Sequence, residues 1–329
     1  PDLADEHEHV VPALERRLSL LVLLQDKICR YLILSVVMLA KAAISSRLDV
    51  KHQKRRLRDR NNLMPTYVVT GASGGIGLGI VTALAARGDK VFATVRKRES
   101  TATGQDNISK VQGDVTVIEG IDVCSDDVGA KLIAALSGVT IDAIVHNAGG
   151  LANRDGPDAP KGMASFADGG GGPGGAKLDS LKSVTTERML AAFQVNTLGP
   201  LRVQQALTDQ MAKPGGKVLI ISTGMGSIGD NGSGGLYAYR SSKAAVNMVM
   251  KNMSLDLKAL EISVMSINPG MVVTDFGPGA EALASFGAMP VEDSVAQLLQ
   301  IFDMCSMEHT GKFWSVKKGA APMEYAGGF

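Results

Sequence analysis

The chain has 329 residues, 45% of them apolar and 20% charged, enough to bury one large α/β core with a short extra segment. A formal net charge of +1 and an aromatic content of 4% argue against a nucleic-acid partner, because they supply neither a basic field nor a base-stacking surface. Cys29, Cys124 and Cys305 show no C-x-x-C spacing, and only His7 and His9 lie close among the histidines; the expectation is no metal and a reducing, cytoplasmic setting.

Residues 1–63 differ in texture from the rest: an acidic start, an apolar stretch over 18–43, then the basic run 51–56. A membrane span needs about 20 consecutive apolar residues. Here Gln25, Asp26, Lys27 and Arg30 cut the stretch in two, and the acidic start is wrong for a signal or transit peptide. The segment reads as an appendage outside the fold. Its place in the working protein stays open, since Met64-Pro65 directly precedes the first strand; surface contact with a membrane through 18–60 is the lesser alternative.

From residue 64 to 329, short β-branched runs alternate with longer helical periods. Strands are predicted at 67–70, 91–95, 115–121, 141–145, 218–221 and 262–267, and helices at 76–86, 126–136, 186–211, 239–259 and 291–304. Continuous apolar strands, each followed by a helix, imply a single doubly wound Rossmann-type parallel sheet with helices on both faces. A Gly/Pro-rich insertion at 150–177 leaves the carboxyl edge of the sheet, where ligands bind in such folds; its composition reads as a surface loop, with a cover over the pocket mouth as the alternative.

The first strand runs into Thr70-Gly71-Ala72-Ser73-Gly74-Gly75-Ile76-Gly77, which opens a helix. Glycines let the backbone approach a pyrophosphate, and the helix start offers N–H groups and a positive dipole end. The second strand ends in Arg96-Lys97-Arg98. An acid there would bond a ribose 2′-hydroxyl, whereas a guanidinium suits the 2′-phosphate of NADP, with Arg96 the favoured contact. At the start of another helix, Tyr239 and Lys243 stand four residues apart, hence on one face. A carbonyl accepting hydride needs a proton, and a cation about 4 Å from the phenol would lower it from about 10 to about 7. Tyr237 is six residues from Lys243 and off that face.

The spacing Thr-Gly-x-x-x-Gly-x-Gly followed by Tyr-x-x-x-Lys resembles the short-chain dehydrogenase/reductase superfamily across residues 65–329. The stretches Gly226 to Asn231, Tyr237 to Asn247 and Thr310 to Phe313 are most similar to its C-factor and sniffer-type carbonyl reductases. The resemblance implies Tyr239, Lys243, Thr223 and Asn196 as the catalytic set, with Ser222 as the fallback, because relatives carry Ser-Ser where Ser222-Thr223 stands. It implies that Gly71, Ser73, Gly75, Ile76, Gly77, Arg96, Asp122, Val123, Asn147, Ala148, Gly149, Pro269, Gly270, Val272 and Thr274 contact the cofactor, together with Tyr239 and Lys243. His146 replaces the first Asn of the family's Asn-Asn-Ala-Gly motif. The implied activity is NADPH-dependent reduction of an aldehyde, ketone or quinone, by a homodimer built on 186–211 and 239–259. An NADP(H)-binding redox sensor with little turnover is the alternative.

Overall fold

The computed structural model describes residues 64–96, 108–151, 180–276 and 279–329. The expectations for the appendage 1–63, for Lys97 and Arg98, and for the insertion from 152 onward lie outside the described residues. Among the described residues eight strands form one sheet: β1 Thr66–Thr70, β2 Lys90–Thr94, β3 Val115–Ile118, β4 Ala143–His146, β5 Lys217–Ile221, β6 Ser263–Asn268, β7 Lys312–Ser315 and β8 Met323–Glu324. Their order is β3-β2-β1-β4-β5-β6-β7-β8, every pair parallel except β7 with β8. The helices are α1 Gly75–Ala86, α2 Val128–Ala135, α3 Thr186–Phe193, α4 Gly199–Leu207, α5 Tyr237–Asp256, α6 Ala280–Ser285 and α7 Val291–Met304.

Side chains alternate across the pleat, so each strand feeds two cores. Tyr67, Val69, Val145, Leu219 and Ile267 pack with Ile80 and Leu84 of α1 and Leu298 and Phe302 of α7. Val68, Ile144, Val218, Ile220 and Val264 point the other way, onto Leu132 of α2, Leu207 of α4 and Val246 and Met250 of α5. The doubly wound sheet expected from the pattern is present, with an antiparallel edge strand added. The order in which strands are added to the sheet reverses between β1 and β4, and the crevice outside their carboxyl ends is where such sheets bind ligands.

Several boundaries differ from expectation for local reasons. The strand predicted over 115–121 ends at Ile118, because Gly120 turns the chain at φ 72°. The helix predicted over 186–211 is α3, a wide π turn at Gln194–Leu198, and α4. Pro200 has no N–H to give the carbonyl of Asn196 four residues back, and the Gly199 N–H reaches back five residues to Gln194 instead. β7, β8 and α6 had no expected counterpart; they are short, and their burial depends on distant partners.

At the opposite end of the sheet Arg87, just past α1, ties three elements. Its guanidinium bonds Asp89 at 2.6 Å, Asp303 of α7 at 2.8 Å and the Tyr67 hydroxyl of β1 at 3.0 Å. Asp89 is buried, and burial holds its carboxyl above the usual range despite the guanidinium. Replacing Arg87 with Ala would leave that carboxyl without its partner. Arg87→Ala is expected to cost about 2–3 kcal/mol in urea unfolding while NADPH affinity stays unchanged, because the crevice lies at the other sheet edge.

Candidate active site

The crevice is held together by Asn147 and glycines. The Asn147 side chain donates to the Thr70 carbonyl at 3.0 Å and the Gly71 carbonyl at 2.9 Å, and the Thr70 hydroxyl accepts from the N–H groups of Asn147 and Ala148, both at 3.1 Å. The end of β4 is thereby bolted to the turn after β1. Gly71 sits at φ 67°, and a Cβ there would lie 2.7 Å from the Ala148 Cα. A Cβ on Gly77 would strike the Gly71 carbonyl and the Asn147 amide. Ser73 and Ile76 flank the start of α1, which no side chain caps and whose first turn carries no acid. Such a helix start suits a phosphate.

The rest of the expected cofactor set surrounds this turn. Arg96 is exposed at the end of β2, and its carbonyl accepts from the Gly120 N–H. The Asp122 carboxylate orders its own loop through the Cys124 N–H at 2.9 Å, and Val123 is buried where Gly199 leaves room for it. Gly149 lies against Asn196 and Lys243: a Cβ there would be 2.9 Å from Asn196 Oδ1 and 3.3 Å from Lys243 Nζ. On the far side, Pro269 accepts from Ser294 at 2.7 Å, Gly270 turns at φ 78°, Val272 pairs with Met289, and the Thr274 methyl would be 3.4 Å from a Cβ on Gly75.

Tyr239 and Lys243 lie in the first turns of α5, both buried. Three left-handed residues, Gly234, Gly235 and Leu236, lead into the helix; at Leu236 a branched side chain bears φ 49°. The Tyr239 phenol lies near the Thr223 side chain just past β5, and its ring packs against Phe276 at 5.8 Å. Burial pushes the phenol well above 10, and the nearby Thr223 side chain only partly offsets it. The expected fall to about 7 is not found. Lys243 points its ammonium at the Ile221 carbonyl, 2.9 Å away, and burial lowers it to about 8. One helical turn of spacing sets the two groups in the first turns of one helix, but burial governs the phenol.

Asn196 reaches this centre through its side chain. Its amide donates to the Gly150 carbonyl and accepts from the Gly150 N–H, both at 2.9 Å, and donates to Ser242 at 3.0 Å. The Ser242 hydroxyl then donates to the Tyr239 carbonyl at 2.8 Å. Ser242 was missed in the sequence; its only signal was its place three residues after Tyr239, within the motif. Ser222, the fallback hydroxyl, is not brought to the phenol: it is buried and donates to Asn247 at 2.7 Å.

A doubly wound sheet with a glycine turn at its switch point, and a buried tyrosine and lysine at the carboxyl end of β5, defines an oxidoreductase of the dinucleotide-binding α/β class. The short chain dehydrogenase family matches residues 65–282, and the chain belongs to it. A Rhodococcus protein named 1-hydroxy-2-glutathionyl-2-methyl-3-butene dehydrogenase is 33% identical over 252 residues, covering 76% of this chain and 96% of that protein. The C-signal of Myxococcus xanthus is 36% identical over 144 residues, covering 44% of this chain and 83% of its own. An NADPH-bound carbonyl reductase from chicken fatty liver shares the fold with a TM-score of 0.61 and 25% identity, over 77% of this chain and 96% of that one.

His146, the departure from the family's Asn-Asn-Ala-Gly motif, faces away from the crevice. Its Nε2 meets Gln204 of α4 at 3.2 Å, and Gln204 goes on to Thr208 at 3.0 Å. Burial lowers the imidazole from 6.5 to about 4, so it is neutral at pH 7. The unfolded chain takes up a proton there below about 6.5 and the folded chain only below about 4, so its share of stability is full above pH 6.5 and lost as pH falls through that window. Urea unfolding at pH 7 and pH 4.5 should show a smaller loss for His146→Gln than for the parent chain, by about 2 kcal/mol.

Proposed function

We propose that this chain is an NADP(H)-dependent carbonyl reductase in which Tyr239 delivers the proton and Thr223 holds the carbonyl oxygen. The observation that carries the reading is the burial of Tyr239 and Lys243 together in the first turns of α5, with the Lys243 ammonium against Gly149 of the crevice and Thr223 near the phenol. An oxygen entering between the two hydroxyls would meet two donors. The wall formed by Phe276 and the burial of Tyr239 exclude water from that point and keep the phenol protonated across the neutral range. A neutral donor is the form that carbonyl reduction requires.

The residues of the crevice fit the cofactor. The uncapped start of α1 behind Gly71, Gly75 and Gly77 would take the pyrophosphate, and Arg96 a 2′-phosphate. Asp122 and Val123 would border the adenine, with Asn147 to Gly149 beneath the sugar and Pro269 to Thr274 beside the carboxamide. When bound, NADPH supplies the hydride. Tyr239 and Lys243 would hold the adjoining ribose, the lysine as a cation below about pH 8. Asn196 fixes the carbonyl of Tyr239 through Ser242 and so keeps the phenol aimed. The NADPH-bound chicken carbonyl reductase and the dehydrogenase named for a glutathionyl alcohol support small carbonyl and alcohol pairs as substrates. Exposed Leu190 on α3 and Met248 and Leu255 on α5 support a homodimer through these helices.

NADPH oxidation with a panel of aldehydes, ketones and quinones tests the reading. Tyr239→Phe is expected to lower kcat at least about 100-fold with NADPH affinity retained. If NADPH binds and no carbonyl is turned over, the redox-sensor reading replaces it. Thr223→Val is expected to lose about 100-fold in kcat and Ser222→Ala less than about threefold, and the reverse order would move the role to Ser222. The kcat of reduction should fall as pH rises through about 8, where Lys243 gives up its proton.

A further inference from the structure

The segment after β7 returns across the carboxyl edge of the sheet and grips the loop that carries Thr223. The Tyr325 N–H bonds the Phe313 carbonyl at 2.7 Å, and its ring lies 4.7 Å from that of Phe313, so Tyr325 is anchored to β7 by backbone and ring. Its hydroxyl donates to Asp230 at 2.6 Å. Its ring also presses on Gly224, the residue after Thr223: a Cβ on Gly224 would lie 2.9 Å from the Tyr325 Cζ and would strike its hydroxyl. A second tie runs from the Ser227 hydroxyl to the Gly327 carbonyl at 2.9 Å. Between these ties, the loop from Thr223 to Asp230 is wound on itself. The Thr223 hydroxyl accepts from the Met225 N–H at 3.3 Å, and the Ser227 N–H bonds Gly224 at 3.0 Å.

We infer that Tyr325 is a positioning residue: its bond to Asp230 and its ring on Gly224 hold the Thr223 hydroxyl in line with the Tyr239 phenol. The inference rests on the reductase reading of that pair. The loop itself offers few anchors, since Ile228, Gly229 and Asp230 are exposed and the chain passes on through Gly232, Gly234 and Gly235. Without Tyr325, the loop would keep its turn but lose its fixed height over the phenol. Loss of alignment lowers the rate of the chemical step and leaves the glycine crevice, on the far side of β4, untouched. Burial and Asp230 together hold the Tyr325 phenol up at about 12, so the bond stays formed across the working range of pH.

The test is steady-state carbonyl reduction by the full chain, with NADPH affinity measured separately by fluorescence. Tyr325→Phe keeps the ring and removes the hydroxyl; kcat is expected to fall about tenfold with the NADPH Kd unchanged. Asp230→Asn keeps an acceptor for the hydroxyl and should retain kcat within about threefold, whereas Asp230→Ala should match Tyr325→Phe, and the two combined should be no worse than either alone. An unchanged kcat in Tyr325→Phe overturns the inference. So does a loss of NADPH affinity in step with kcat, equal damage from Asp230→Asn, or losses that multiply in the double variant. A parent chain that turns over no carbonyl removes the reductase reading, and the inference with it; turnover by the parent with an unaffected Tyr325→Phe removes the inference alone.

Discussion

The site depends on one short junction, where Asn147 after β4 bonds the carbonyls of Thr70 and Gly71 after β1. Two parallel strands that neighbour each other only through long crossovers must end at the same height if their loops are to form one crevice. The Asn147 side chain enforces that by satisfying two carbonyls that the sheet ladder leaves behind, and the Thr70 hydroxyl answers it by accepting two N–H groups. The glycines follow from this closeness. At Gly71 and Gly77 a side chain would occupy the space taken by Ala148, Asn147 or the turn itself, so their small size serves contact between protein segments as much as room for a ligand. With β4 so placed, Gly149 and Gly150 fall against Asn196, and Lys243 falls beside Gly149.

Burial acts on the two ionisable groups of α5 in opposite directions, and both shifts favour the neutral form. It raises the phenol of Tyr239 and lowers the ammonium of Lys243. An isolated Tyr-Lys pair would be expected to exchange these costs, the cation favouring the phenolate. Here the ammonium is occupied by the Ile221 carbonyl and the phenol lies near the neutral Thr223 side chain, so each has a neutral neighbour. The consequence is a phenol that keeps its proton at neutral pH. The lysine, in contrast, is close enough to its titration point for a nearby anionic or polar ligand to decide its charge.

Much of this was legible in the sequence because it is written in local patterns. Alternating apolar runs gave the sheet, the glycine turn gave the crevice, and the four-residue spacing put Tyr239 and Lys243 on one helix face. What the sequence withheld is set by partners far along the chain. Nothing near Ser222 says that Asn247 will take its hydroxyl, and nothing near Lys243 says that the Ile221 carbonyl will take its ammonium. The break in the helix at Asn196 was half-visible: Gly199-Pro200 marks a disturbed ladder, but whether the chain answers with a kink, a 3₁₀ turn or a π turn is decided by what the freed side chain can reach. Here Asn196 reaches Gly150 and Ser242 together, which rewards the wide turn.

The edge strand β8 shows the same principle from the other side. Two residues of antiparallel pairing add little stability, and no sequence signal distinguishes Met323–Glu324 from a loop. Its value lies in direction: pairing with β7 turns the chain back over the carboxyl end of the sheet, where a single aromatic ring can meet both Phe313 and Gly224. Thr223 stands at the end of β5, and the residues beyond it run through glycines that cannot fix their own course. A loop of that kind needs an outside support to present a hydroxyl at constant height. The sheet provides it through its own last strand, so the framework that sets the crevice on one side of β4 also sets the hydroxyl on the other.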